Sequence, residues 1–194
     1  MRLAILVTLF LQLTVVASAN GSDENGKFAV KGIGVLTCNE FLDAKDNKQS
    51  SYLQFGGWIE GYISASNKAL PSSYDVAPWH TTETIATIVY TACKKAPEAN
   101  FAGVVDAIVS RLSISPLKKQ SQSITLSHGK YSLSLPEAIL TQVKQRLIKL
   151  NFMNNDASEE ELKAALANYQ KSKGLTVTSL PDQYTLWNLL ETGE

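Results

Sequence analysis

Apolar residues recur at the spacing of an amphipathic helix in three runs between residues 48 and 112. The runs are Tyr52, Phe55, Ile59, Tyr62 and Ile63, then Ile85, Val89, Ala92 and Cys93, then Phe101, Val105, Ile108 and Leu112. Thr81 or Thr82 suits the N-cap of the second helix, because a hydroxyl oxygen there accepts a hydrogen bond from a free backbone amide of the first turn. Pro97 suits the first position of the third helix. The pattern predicts a small helical unit.

Three glycines, Gly56, Gly57 and Gly61, lie within the first run. Each costs ~1 kcal/mol relative to alanine in a helix. Their presence therefore predicts that another helix packs very close to this one. Trp58 lies among them and points away from the apolar stripe.

A second set of helical runs occupies residues 134–192. Its apolar positions are Leu140, Val143, Leu147 and Leu150, then Leu162, Leu166 and Tyr169, then Leu186, Leu189 and Leu190. Ser158 and Glu161 form a capping box at the start of the second of these helices, and Asp182 suits the N-cap of the third. Asn151 and Gly174 stand where a left-handed residue commonly ends a helix.

Composition divides the chain into five segments. We expect a signal peptide over residues 1–19, a flexible leader over 20–30, a first helical domain over 31–112, a linker over 113–133 and a second helical domain over 134–192. The linker is rich in Ser, Lys and Gln. Weak alternation at residues 124–126 and 131–133 allows a short hairpin there. The expected fold class is all-α.

The first 19 residues have the parts of a secretory signal. Arg2 precedes an apolar run over residues 3–16, and Ala17-Ser18-Ala19 fits the cleavage rule. A membrane anchor is the alternative, but the run is shorter than the ~20 residues that a span needs. We therefore expect cleavage before Asn20 and a mature chain that is not an integral membrane protein.

Cys38 and Cys93 are the only cysteines. Because exported chains meet an oxidising compartment, we expect a disulfide between them, which the chain-entropy model values at roughly 4 kcal/mol. A redox-active thiol is the alternative, since Lys94 directly follows Cys93. That role usually requires a Cys-x-x-Cys spacing or an electropositive helix start, so the structural bridge is favoured.

Charge and composition argue against several classes of function. Eighteen basic residues balance eighteen acidic ones, which leaves no basic footprint for nucleic acid. Two histidines and two cysteines are too few for a Cys/His zinc site, and His80 and His128 lack metal-ligand spacing. No nucleophile–base pair or carboxylate motif stands out. We expect no metal, no cofactor and no enzymatic activity.

The first half resembles the HdeA-type periplasmic helical proteins and the similar immunity family that protects bacteria against type VI amidase effectors. The resemblance covers about residues 32–112. It is carried by Cys38 before a short helix, by the run from Gly57 to Ile63, and by the second cysteine in the run from Tyr90 to Pro97. It implies an acid-stress chaperone that exposes apolar surface when its carboxylates are protonated.

The second half resembles the peptidoglycan-binding-domain-1 family, a three-helix cell-wall module. The match runs from about Leu135 to Leu190. It rests on Val143-x3-Leu147-x2-Leu150-x-Phe152, on Ala165-Leu166-x2-Tyr169-Gln170 with Gly174-Leu175, and on Pro181-Asp182-x2-Thr185-Leu186-x2-Leu189. The chain departs from the family at Asn151, Asp156-Ala157 and Ser179, where turn glycines are usual, although Asn and Ser are acceptable turn residues.

This second resemblance implies contacts with peptidoglycan. The residues expected to make them are Asp156, Tyr169, Gln170, Asp182 and Thr185.

Four residues of the first half are candidates for protein binding, because exposed aromatic residues are common anchors: Trp58, Tyr62, Trp79 and His80. Core packing is the alternative for the first two, whereas the last two lie on a proline-flanked loop that suits surface recognition.

Together the resemblances imply a non-enzymatic protein in the periplasm of a Gram-negative bacterium. Its second domain would bind peptidoglycan, and its first domain would bind an unidentified periplasmic protein in a chaperone-like or envelope accessory role. Two alternatives stay open. One is an immunity protein that neutralises a type VI amidase effector, and the other is a cell-wall-active enzyme with an unrecognised site.

Overall fold

A computed structural model describes residues 22–191, so the predicted signal peptide lies outside the described residues. The first half contains a 3-10 turn at Gly32–Val35 followed by α1 (Cys38–Asp46), α2 (Ser51–Ala69), α3 (Thr82–Lys95) and α4 (Phe101–Leu112). A hairpin of β1 (Ser123–His128) and β2 (Tyr131–Pro136) comes next. The second half contains α5 (Glu137–Lys149), α6 (Glu159–Ser172) and α7 (Gln183–Leu186), which continues as a π-helical turn at Trp187–Glu191. Within residues 22–191, none of the helices combines the length and the apolar character needed to cross a membrane.

The core of the first half is an aromatic cluster beside a disulfide. The rings of Phe41, Phe55 and Phe101 lie 4.7 to 5.2 Å apart between centroids, in edge-to-face and tilted arrangements. Such pairs are worth about 1 kcal/mol each beyond the area they bury. Cys38 and Cys93 form the expected disulfide, which joins the start of α1 to the last turn of α3.

The N-cap side chains determine where α3 and α4 begin. The Thr81 hydroxyl accepts a hydrogen bond from the Thr84 amide, as expected for the N-cap of α3. The prediction that Pro97 opens the next helix is wrong, because α4 begins at Phe101. Asn100 is its N-cap, and the side-chain oxygen of Asn100 accepts a hydrogen bond from the Gly103 amide. A capping side chain therefore decides this boundary.

The glycines of α2 do not all mark a close helix contact. A Cβ atom at Gly56 would lie 3.5 Å from the Thr82 methyl group at the start of α3, but no other described part of the chain comes within 4 Å of such an atom at Gly57 or Gly61. The prediction of close packing is thus wrong for the last two. The tight approach is at Gly34 instead, where an added Cβ would overlap the ring of Trp58.

The second half has its own core, built from all three of its helices and from the hairpin. Leu126 of β1 and Leu135 of β2 are buried in it. The two strands pair antiparallel, with Ile124 opposite Leu135 and Leu126 opposite Leu133. The fold is therefore mostly helical, and the hairpin corrects the all-α expectation. Its first strand lies within the stretch that composition marked as a linker.

Turns in the second half adopt the backbone that their residues tolerate. Asn151 has φ 60°, Gly174 has φ 67° and Ser179 has φ 59°, all in the left-handed region. The prediction for the two helix ends is confirmed. The predicted capping box at Ser158 and the predicted N-cap at Asp182 are also present.

The two halves are joined through the loop between α2 and α3. Trp79 of this loop is 9% exposed and packs in the core of the second half. Gln183, at the start of α7, donates a hydrogen bond to the Trp79 carbonyl (2.7 Å) and accepts one from the Thr84 hydroxyl (2.6 Å). Farther back in the loop, Asp75 pairs with Leu117 through backbone hydrogen bonds of 2.8 and 3.0 Å.

Substituting Trp79 tests this junction. Trp79→Ala removes a large buried side chain, so we expect the free energy of unfolding to fall by ~3 kcal/mol. We also expect the amides of α5 and α6 to exchange faster, although Trp79 precedes them by many residues. Urea unfolding and hydrogen exchange measure the two effects. Tyr184→Ala, at a position that is 78% exposed, serves as the control and should change stability by less than ~0.5 kcal/mol. Faster exchange confined to α1–α4 would contradict the junction.

Candidate functional site

Carboxylates join the helices of the first half. Glu83 of α3 accepts hydrogen bonds from the Lys45 ammonium of α1 (2.6 Å) and from the Tyr52 hydroxyl of α2 (2.7 Å). Lys45 also donates to the Tyr52 hydroxyl at 2.7 Å. One carboxylate therefore links three helices.

The same arrangement recurs at other helix pairs. The Tyr62 hydroxyl of α2 donates to Asp106 of α4 at 2.6 Å, and the Tyr90 hydroxyl of α3 donates to Asp46 of α1 at 2.7 Å. The Thr82 hydroxyl at the start of α3 donates to Glu60 of α2. Hydrogen bonds to an ionised carboxylate are roughly twice as strong as neutral ones. These contacts therefore depend on the charge of their acceptors.

The ionisation equilibria at Glu83 reflect these bonds. Hydrogen bonds from Lys45 and Tyr52 lower the pKa of Glu83. Although burial opposes the change, hydrogen bonds to Glu83 and Tyr52 raise the pKa of Lys45. At the Tyr62–Asp106 contact, burial and then the hydrogen bond to the carboxylate raise the pKa of Tyr62. The charged form of Glu83 and the neutral form of Tyr62 are thus favoured.

A buried histidine lies where the two halves meet. The side chain of His80 is 1% exposed, and its ring stacks on Trp79 with the ring centroids 3.6 Å apart. Neither ring nitrogen has a hydrogen-bond partner within residues 22–191, and Nε2 lies 3.9 Å from a carboxylate oxygen of Glu191. Burial lowers the pKa of His80 to about 4, so the ring is neutral at neutral pH.

The four candidate partner-binding residues occupy structural positions. Trp58 is half-buried, stacks on Tyr62, and donates its indole N–H to the Lys31 carbonyl at 2.9 Å. Trp79 and His80 do not form a surface patch, because the second half covers them. A role for any of the four in binding a partner stays a prediction.

The five candidate peptidoglycan residues do not share one surface. Tyr169, Gln170 and Thr185 are buried. The Gln170 amide donates to the Thr185 hydroxyl and to the Leu180 carbonyl, at 2.9 and 2.8 Å. The half-buried Asp182 caps α7, and Asp156 is exposed. Four of the five therefore have structural roles in this arrangement, and Asp156 alone among them is exposed.

Sequence reasoning missed Gln183 and Glu191. Both act across the junction, on residues about a hundred positions earlier in the chain. Neither lies in a local motif that would have revealed this. The described residues contain no group of three or more His, Cys, Asp or Glu side chains able to hold a metal ion.

The fold and these contacts define a disulfide-linked helical protein whose helices are joined through carboxylates. The model of the HdeA/HdeB family matches residues 3–103, more than half of the chain. The chain therefore belongs to the HdeA/HdeB family, which confirms the resemblance of the first half to the HdeA-type proteins. The family is one of periplasmic, non-enzymatic acid-stress chaperones.

The match ends within α4, so the second half lies outside it. The resemblance of that half to peptidoglycan-binding modules has no support from these comparisons. No curated protein and no solved structure matches the chain significantly.

The buried histidine should make stability depend on pH. The pKa of His80 is about 4 in the folded chain, against 6.5 for an unperturbed histidine. Between these values the unfolded chain binds more protons, so the folded state loses stability as the pH falls from about 6.5 to about 4. At 1.36 kcal/mol for each pKa unit, we expect a loss of ~3 kcal/mol from this group.

His80→Gln, which does not titrate, should lack this part of the loss. Urea unfolding between neutral pH and pH 4 measures it. His128→Gln, at an exposed position of the hairpin, is the matched control and should keep the profile of the parent. A profile for His80→Gln that is parallel to the parent's would contradict the assignment.

Proposed function

We propose that this chain is a periplasmic chaperone of acid stress, with no enzymatic activity, whose first half exposes its aromatic core to unfolded proteins when the pH falls. The observation that carries the proposal is the set of carboxylate contacts between α1, α2, α3 and α4. Family membership supports it independently. Localisation in the periplasm of a Gram-negative bacterium, after removal of a signal peptide, is part of the proposal.

A fall in pH weakens the contact that Glu83 makes between α1, α2 and α3. Because hydrogen bonds from Lys45 and Tyr52 lower the pKa of Glu83 below its usual 4.5, Glu83 stabilises the fold above that pH. This stabilisation is lost as the pH falls through the folded pKa of Glu83. The hydrogen bonds to Asp106, Asp46 and Glu60 likewise gain strength from the negative charge of their acceptors.

The surface that would become available is apolar and aromatic. Phe55 lies on the inner face of α2, and Phe101 and Val105 lie on the inner face of α4. Separation of α2 from α4 would uncover these side chains. A surface of this kind binds exposed apolar segments of many proteins, since the hydrophobic effect is not directional.

Amide variants imitate the protonated carboxylates. We expect Asp106→Asn to lower the free energy of unfolding at neutral pH by ~1 kcal/mol, because the bond from Tyr62 loses its charged acceptor. The variant should therefore begin to bind an apolar dye, and to suppress the aggregation of unrelated acid-unfolded proteins, at a higher pH than the parent. Dye fluorescence and light scattering during a pH titration measure the two transitions.

Glu159→Gln is the matched control. Glu159 pairs with Lys163 within the exposed start of α6, at 2.9 Å, and a surface pair of this kind is worth less than ~1 kcal/mol. The Glu159→Gln variant should bind the dye and suppress aggregation at the same pH as the parent. Coincidence of Asp106→Asn with the parent would overturn the proposed acid response. Tight binding of a single amidase, without suppression of general aggregation, would favour the immunity function instead.

We further propose that the second half docks on peptidoglycan. The exposed Asp156, in the loop between α5 and α6, supports this proposal together with the three-helix pattern of the resemblance. The four buried or capping candidates would act by holding the loops in place. Gln170, for example, accepts hydrogen bonds from the amides of Thr178 and Ser179, both at 2.9 Å.

Sedimentation with insoluble peptidoglycan tests this docking. The full chain from residue 20 is the right sample, because a truncation after the first half would expose Trp79. We expect the chain to sediment with the polymer and Asp156→Asn to reduce the bound fraction several-fold. Glu24→Gln, at an exposed position of the first half, is the control and should leave the bound fraction unchanged. Absence of the parent from the pellet would refute wall binding.

A further inference from the structure

A cavity of about 230 Å³ lies at the junction between the two halves. The first half contributes the loop that carries Trp79 and His80, and the end of α4 with Arg111. The second half contributes α5, through Ile139 and Gln142, and the final turn with Glu191. The cavity therefore exists only where the two halves meet.

His80 is the observation that points to a ligand. Its side chain is 1% exposed and lines the cavity, and neither ring nitrogen has a hydrogen-bond partner among the residues that the structure describes. A buried polar atom without a hydrogen bond costs about 1–3 kcal/mol. The neutral ring offers one donor and one acceptor. A molecule bound in the cavity would remove this cost.

Two opposite charges lie on the cavity wall. Arg111 comes from the first half and Glu191 from the second. Within residues 22–191, Arg111 forms no ion pair, and only His80 lies within ion-pair distance of Glu191. Because burial keeps His80 neutral at neutral pH, no residue in the described part of the chain neutralises either charge there. A ligand that carries both charges would complement the pair.

The remaining wall and the size of the cavity limit the ligand further. Val76, Leu112, Ile139 and Leu190 supply apolar surface. At ~30 Å³ for each water, the volume corresponds to roughly eight water molecules. It is smaller than the sites that hold drug-sized compounds, which begin near ~300 Å³. The ligand therefore has on the order of eight non-hydrogen atoms.

We propose that this cavity binds a small zwitterion with an apolar body, of the class of the aliphatic amino acids. The ammonium group donates to the Glu191 carboxylate and to the acceptor nitrogen of His80, which lie 3.9 Å apart and so leave room for one donor between them. The ligand carboxylate pairs with Arg111, and the aliphatic group packs on the apolar wall. This binding is independent of the proposed chaperone function.

Three probes that share one branched carbon skeleton test the assignment. Valine carries both charges, isobutylamine lacks the carboxylate, and isovalerate lacks the ammonium group. The chain has two histidines, so the ring protons of His80 report on the cavity in a proton NMR titration at neutral pH, and those of the exposed His128 are an internal control. We expect valine to shift the His80 signals saturably without moving those of His128. Isobutylamine and isovalerate should bind at least ~10-fold more weakly, as each loses one charge pair.

Charge variants locate the two contacts. Glu191→Gln should weaken the binding of valine at least ~10-fold and leave the affinity for isovalerate unchanged. Arg111→Gln should weaken the binding of valine by the same factor and leave the affinity for isobutylamine unchanged. Lys149→Gln, at an exposed position of α5, should change nothing. Absence of a saturable shift with valine would overturn the proposal, as would equal binding of all three probes or equal shifts at His128. Because the titration uses the folded chain at neutral pH, failure here is distinguishable from failure of the acid response.

Discussion

The indole of Trp79 belongs by sequence to the first half of the chain and by packing to the core of the second half. Burial of this ring fixes the loop between α2 and α3 against α5 and α7. The hydrogen bonds of Gln183, the burial of His80 and the cavity all follow from that placement. The backbone hydrogen bonds between Asp75 and Leu117 hold the start of the connecting segment against the same loop.

The sequence predicted what depends on neighbouring residues. The helical runs, the Thr81 cap, the Ser158 capping box and the left-handed Asn151 are all local features, and all are present. The disulfide was also predictable, because the chain has only one pair of cysteines. Helix α4 was placed too early, since the prediction relied on Pro97 although Asn100 is the residue that caps the helix.

Features that depend on distant residues were not predictable. Trp79 and His80 lie on a loop between prolines, and nothing near them reveals that α5 and the last turn cover them. Gln170 lies in the motif that resembles peptidoglycan-binding modules. Its side chain is nevertheless fully buried and forms hydrogen bonds with the loop at residues 178–180. At Gly57 and Gly61 the prediction failed in the other direction. Glycines within a helix suggested a close helix contact, but both are exposed and no described neighbouring helix lies against them.

The disulfide and the carboxylate contacts are arranged unequally among the helices. Cys38 and Cys93 tie α1 to α3, the same two helices that Lys45–Glu83 and Tyr90–Asp46 hold together. No covalent link of this kind joins α2 to α4, which meet at Tyr62 and Asp106. In the proposed acid response, the disulfide would keep α1 joined to α3 while α2 and α4 separate. A chain that opened in this way would have fewer arrangements to search when the pH is restored, because the disulfide restricts the unfolded chain.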